Sequence, residues 1–255
     1  MYKILSGIVL FVLLVLGSMF LLLFTNTGNA FLRPYINSYI VKHYDIDAHL
    51  ASFTLRPNFL DVKIYLYKNI RVVLNGDLDI WKKSFDLDFM VNAKNVMTKY
   101  AKLRGNADIS GKITGNIKQI NVKGKGKIFN SPVKFDSVVD DFRAKNLHLY
   151  MQKARIAQLL ALIGKPPYVS GIANMDINFD DLDTEHLKGS AKVEIPYGSV
   201  NSVLVKKDFN ITLPVGFIFR AKSNTLLKGK DTISAINFNS NIFKLSSLKT
   251  VYNLK

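Results

Sequence analysis

From Tyr44 onward the chain keeps a period of two, and that property constrains its fold more than any other. Leu60, Val62, Ile64 and Leu66 alternate with Asp61, Lys63, Tyr65 and Tyr67. Ile70, Val72 and Leu74 continue the scheme up to a turn signal at Asn75 and Gly76. Leu78 and Ile80 follow, then a second turn signal near Lys82 and Lys83. Phe85, Leu87, Phe89 and Val91 alternate with Asp86, Asp88 and Met90. Successive side chains of a strand point to opposite faces, so this is the pattern of half-buried antiparallel strands joined by short turns.

Glycines then punctuate the chain. Gly105, Gly111, Gly115, Gly124 and Gly126 separate short stretches and are expected to supply turns, bulges or tight bends in a strongly curved sheet. The run Gly124-Lys125-Gly126-Lys127 lacks the Gly-Lys-Ser/Thr at a helix start that a phosphate-binding loop requires. Its lysines are read as a solvated strand face. Ile156, Leu159, Leu160 and Ile163 make one apolar stripe, stopped by Gly164 and by Pro166 and Pro167, which predicts a short helix. Strand patterns resume over 171–179 and 189–195, with Pro196-Tyr197-Gly198 as an exit turn. Residues 209–213, 217–219 and 233–235 with Phe238 carry the alternation on, and 251–254 read as a last strand.

The N-terminus follows another rule. Residues 4–24 contain no charged side chain. At 1.5 Å per residue such a run spans roughly 30 Å, the thickness of a bilayer's hydrocarbon core. A cleaved signal peptide is the alternative, and Gly28-Asn29-Ala30 offers small residues for it. Its apolar stretch, however, is typically about 7–15 residues long. The greater length favours an uncleaved signal anchor over residues 1–25 and a single pass, with the bulk of the chain exported. After a polar, turn-like stretch at 26–29, Leu32, Tyr35, Ile36, Tyr39 and Ile40 fall at helical spacing, and Pro34 is expected in the first turn. This helix near 31–43 either lies on the membrane surface or caps the end of the sheet.

The chain of 255 residues carries 35 Lys+Arg against 19 Asp+Glu, a formal +16, with 48% apolar residues and no cysteine. That apolar share excludes a disordered basic tail, and the lack of cysteine excludes disulfides and thiol chemistry. Charge of this size calls for an anionic partner, either nucleic acid or membrane head groups. The lysines are spread along the strands rather than clustered, which argues against nucleic acid. His43, His49, His148 and His186 lack ligand spacing, and the aspartates at 180, 181 and 183 lack the glycine and distal glutamate of a calcium loop. No nucleophile-plus-base motif occurs. The reading is a non-enzyme without metal or other cofactor.

The expected fold is mostly β: an N-terminal transmembrane helix over 1–25, then an exported β-rich domain over 26–255 with short helices near 31–43 and 153–163. Roughly 180 residues remain for strands of about ten residues each, of order 15 strands. A sheet of that size must curl, here into a U-shaped groove on the order of 70 Å long. Its lining candidates are Leu60, Val62, Ile64, Leu66, Val72, Leu74, Phe85, Leu87, Phe89 and Val91. The lysine- and aspartate-rich face becomes the exterior. A dry groove beside a bilayer suits acyl chains, which gain about 0.8 kcal/mol per buried CH₂.

These features resemble the AsmA-like family (the AsmA and TamB group), bacterial envelope proteins anchored in the inner membrane. The likeness rests on the N-terminal span, the helix through Leu32 and Ile40, and the strands around Phe53-Thr54-Leu55 and Leu60-Asp61-Val62-Lys63-Ile64. The helix Ala157-Gln158-Leu159-Leu160-Ala161-Leu162 leading into Tyr168-Val169-Ser170-Gly171 and then Leu187-Lys188-Gly189-Ser190 completes it. The resemblance implies a periplasmic β-groove involved in phospholipid transport or outer-membrane assembly. Implied partners are phospholipid, the inner membrane and an outer-membrane or envelope protein. An assembly factor that acts through its sheet edge, without carrying lipid, is the alternative reading.

Overall fold

The computed structural model describes residues 23–97, 102–141, 143–162, 164–181, 188–229 and 231–253. All but the last two residues of the expected span at 4–24 lie outside them, as do Ile163, residues 182–187 with His186, and Leu254. Among the described residues no helix is long and apolar enough to cross a membrane. Thirteen strands among these residues form one sheet in chain order. There are fewer strands than the expected 15 because several glycines read as separators lie inside longer strands. The chain divides into two compact units, Met1–Val91 and Asn92–Lys255.

The first unit contains α1 (Asn26–Tyr44), β1 (Ala48–Arg56), β2 (Phe59–Leu66), β3 (Ile70–Asp79) and the start of β4 (Ser84–Met97). Residues 26–29 are the first turn of α1 rather than a turn before it. Thr25 causes this: its Oγ1 accepts the Gly28 N–H at 3.2 Å as an N-cap. Pro34 therefore lies in the helix interior, not in the first turn as expected. The helical bond it removes belongs to the Ala30 carbonyl, and both residues are on the exposed side, where the lost bond costs least.

Helix α1 pairs with the outer edge of β1 through polar side chains spaced four residues apart. The Asn29 amide accepts the Leu55 N–H at 2.9 Å and donates to the Leu55 carbonyl at 3.0 Å. Arg33 Nε donates to the Leu50 carbonyl at 2.8 Å, and Asn37 Oδ1 accepts the Leu50 N–H at 2.7 Å. The strand edge, otherwise a row of free backbone groups, is thus satisfied by a helix. Of the two placements open to this helix from the sequence, the structure shows it along the sheet edge.

The turn expected at Asn75 and Gly76 is instead the interior of β3. Gly76 has φ +147°, and a Cβ there would run into the Asp86 carbonyl and Leu87 Cα of β4. Glycine serves the close approach of two strands here, not a chain reversal. The reversal comes at the second signal, where the Lys82 N–H donates to Asp79 Oδ1 at 2.9 Å. That bond holds the Asp79 carboxyl below its ordinary value.

The second unit holds the rest of β4, then β5 (Lys102–Asn116), β6 (Gln119–Ile128), β7 (Ser131–Asp140) and β8 (Arg143–Arg155). Next come α2 (Ile156–Leu162), β9 (Val169–Asp181), β10 (Lys188–Val200) and α3 (Ser202–Phe209). The unit ends with β11 (Ile218–Lys228), β12 (Asp231–Ser240) and β13 (Lys244–Asn253). Gly105, Gly111 and Gly115 lie within β5, and Gly124 and Gly126 within β6. A Cβ on Gly111 would meet the Lys123 carbonyl of β6, and one on Gly126 the Asp108 carbonyl of β5. The helix expected over 153–163 starts later, because residues 153–155 complete β8.

Two further expectations are corrected. Pro196-Tyr197-Gly198 is not an exit turn but a bulge inside β10, where the pairing with β9 jumps from Glu194↔Asn174 to Tyr197↔Ile172. Residues 209–213 are not a strand. Phe209 ends α3, which starts at an Asn201 cap whose Oδ1 accepts the Leu204 N–H at 3.2 Å. Asn210 then closes the helix in the left-handed region at φ 56°.

Replacing Asn29, which is 3% exposed, removes both partners of Leu55. Asn29→Ala should destabilise the first unit by about 2–4 kcal/mol, from two part-buried backbone groups left unsatisfied. Asn26→Ala, on the exposed side of the same helix, should change little. Chemical denaturation of the two variants checks the difference.

Candidate functional site

Directly paired residues of antiparallel strands share a face, so the registers assign every side chain to one side of its ladder. In the first unit Val62 pairs with Phe53 and Leu74, and Ile64 with Leu50 and Val72. Leu60 pairs with Leu55 and Gly76, and Leu66 with Ala48 and Ile70. Six of the ten expected lining residues (Leu60, Val62, Ile64, Leu66, Val72, Leu74) therefore share one apolar face. The other face carries Asp61, Lys63 and Tyr65, with Lys63 Nζ 5.7 Å from the Tyr65 ring centre. In β4, Leu87 and Phe89 are buried, Phe85 and Val91 half-buried, and Asp86, Asp88 and Met90 exposed. The clean alternation stops at β2, which is half-buried on both faces after Phe59.

The longer apolar face, absent from the expected lining set, lies in the second unit. One row crosses eight neighbouring strands: Gly126, Val133, Met151, Met175, Val193, Ser223, Ile236 and Leu248. A parallel row runs through Phe135, Leu149, Ile177 and Ala191, then turns polar at Thr225 and Ser234. At about 4.8 Å per strand, β5 to β13 spans roughly 38 Å. Helix α2 covers one end, with Leu159 against buried Val133, Met151 and Ala154. At another end Phe217, Phe219, Phe238 and Phe243 stack at 4.9–6.3 Å between ring centres. Between these, Val193, Ile195 and Ile236 are half-buried, and Leu248 is 42% exposed. Among the described residues the sheet is one layer, and the main helix contacts with it are those of α1 on β1 and α2 on β5, β8 and β9.

Helix α3 is tied down at its end by Tyr168, whose ring lies 5.2 Å from Phe209 and whose hydroxyl donates to Asp208 at 2.9 Å. That carboxylate pushes the phenol above its ordinary value. On α1, Phe31, Tyr35 and Tyr39 form an aromatic ridge pointing away from β1, each 55–62% exposed. His43 extends it, stacked on Tyr39 at 5.1 Å.

The opposite face of the second unit is polar and holds a trench of about 600 Å³ across β5–β8, walled by Lys112, Lys123, Asp136 and His148 on one side and Ser110, Lys125, Lys134 and Tyr150 on the other. Sequence reading gave these lysines only a solvated role. The signal it lacked is pairing: Lys112 faces Lys123, and Lys125 faces Lys134. Among the described residues no group of three or more His, Cys, Asp or Glu is placed to hold a metal. No protein-family model, characterised protein or solved structure matches the chain.

The aromatic end of the apolar face depends on Gly198, since a Cβ there would sit 2.6 Å from Phe219 Cζ. Gly198→Ala should lower stability by about 1–3 kcal/mol through overpacking, read as an earlier thermal transition.

Proposed function

We propose that the chain is a non-enzymatic, membrane-anchored protein of the AsmA-like kind, single-pass in the bacterial inner membrane with its bulk in the periplasm. In this reading its apolar sheet face binds phospholipid acyl chains and helps move phospholipid between envelope membranes. The observation that carries the proposal is the single-layer apolar face of β9–β13. An apolar sheet face is ordinarily buried under a second layer. Here Val193, Ile236 and Leu248 remain within reach of solvent and of any apolar ligand.

Two further features support it. The aromatic ridge of α1 begins seven residues after the uncharged run at 4–24, and amphipathic rings of this kind favour the interface between membrane and water. The polar face opposite the apolar one is alternately exposed, so head groups and water have a separate side of the sheet. The assembly-factor reading draws on a different element. With β1 capped by α1, β13 is the other end of the strand order.

The test uses the full chain in bacterial membranes, with a photo-crosslinking amino acid at Ile177, Val193 or Ile236 on the apolar face, or at Lys192 or Asn224 on the polar face. The first-unit positions Val62, Ile64 and Phe89 are tested in parallel. Lipid adducts identified by mass spectrometry are expected at the apolar positions and not at the polar ones. No lipid adduct at any apolar position would end the proposal. A protein adduct at β13 in its place would favour the assembly factor.

A further inference from the structure

The trench on the polar face of the second unit takes no part in holding acyl chains. Its floor is the backbone at Gly111, Gly124 and Phe135, and two rows of side chains stand on either side. One row contains the Lys112–Lys123 pair and the other the Lys125–Lys134 pair. Like charges directly opposite each other on one face of a sheet repel. Lys123 also faces Asp136 on β7, but the Lys125–Lys134 pair is flanked only by Ser110 and Tyr150, so its repulsion opposes the sheet's own stability, and a broken local rule of this kind marks function. Lys123, Lys125 and Lys134 are exposed and make no ion pair among the described residues. Tyr150, paired with Lys134, accepts the Gln152 amide at 2.6 Å and keeps its own O–H to donate.

The Lys112–Lys123 row continues into Asp136 on β7 and His148 on β8. His148 stands between Asp176, at 3.0 Å, and Asp136, at 3.6 Å. A long polyanion continuing across the strands would run from lysines into these carboxylates. The lysines lie on β5 to β7, two strand spacings or about 10 Å. We propose that this trench binds a compact phosphate-bearing anion, held by Lys123, Lys125 and Lys134 with Tyr150 as a hydroxyl donor. The phosphate belongs either to a lipid head group or to a soluble molecule. Because the trench lies on the face opposite the apolar rows, it stands or falls separately from the acyl-chain reading.

The experiment uses the detergent-solubilised full chain and two probes in calorimetric titrations: inorganic pyrophosphate and dihexanoyl phosphatidic acid below its micellar concentration. Dihexanoyl phosphatidylcholine is the zwitterionic control. The double variant Lys125→Gln/Lys134→Gln should weaken binding of the preferred probe at least tenfold. Lys192→Gln/Lys228→Gln, on the same face outside the trench, should change it less than twofold. The trench variant should also melt at the same or a higher temperature, because a repulsive pair has gone. Preference for pyrophosphate identifies a soluble ligand, and preference for phosphatidic acid a head group. Equal weakening by both double variants would show diffuse charge and overturn the proposal. So would the absence of binding to either probe, or tighter binding of a single-stranded oligonucleotide than of both probes.

Discussion

A sheet that adds each strand to the one before depends on how its first strand is fixed. Here that task falls to side-chain amides and a guanidinium. Asn29, Arg33 and Asn37 lie one helical turn apart and meet the free backbone groups of Leu50 and Leu55. Each bond alone contributes about 1 kcal/mol, but each backbone group left bare would cost more than that. The helix thereby acts as a surrogate strand. It closes the edge through polar side chains, while Ala48 and Leu50 of β1 are buried.

The two faces of the second unit divide the chemistry. Pairing rows across β6–β12 put valine, methionine and isoleucine on one side and lysine, aspartate and asparagine on the other. Among the described residues the apolar side is covered at two places, under Leu159 of α2 and in the phenylalanine cluster around buried Phe217 and Phe219. Elsewhere burial is partial, so the ladder is held chiefly by backbone hydrogen bonds and same-face neighbours. The lysines of the polar side also discourage association between sheets.

Much of this was legible in the sequence, and the failures have common physical causes. The period of two located the strands, and Phe85 to Val91 alternate in the structure as they do in the chain. Glycine misled wherever it serves strand contact: at Gly76 or Gly111 a side chain would strike the neighbouring backbone, and nothing local distinguishes that need from a turn. Helix α3 was missed because Val203 and Val205 are good strand formers, while its Asn201 and Asn210 caps decide the matter. Six of the ten lining candidates (Leu60, Val62, Ile64, Leu66, Val72 and Leu74) share one face, since alternation sets the face within a strand. The apolar rows and the lysine pairs of the second unit depend on which strand lies beside which, and at what register. Periodicity within one strand does not carry that information.

Pairing in chain order also sets how the molecule can be made. Each strand finds its partner in the segment just before it, so the loops to be closed are short and little entropy is lost before a new pair is gained. Such a sheet can grow like a zip from its N-terminal end, strand by strand, while later residues are still being delivered. Every intermediate length is then a shorter version of the same ladder, waiting at one edge for its next strand.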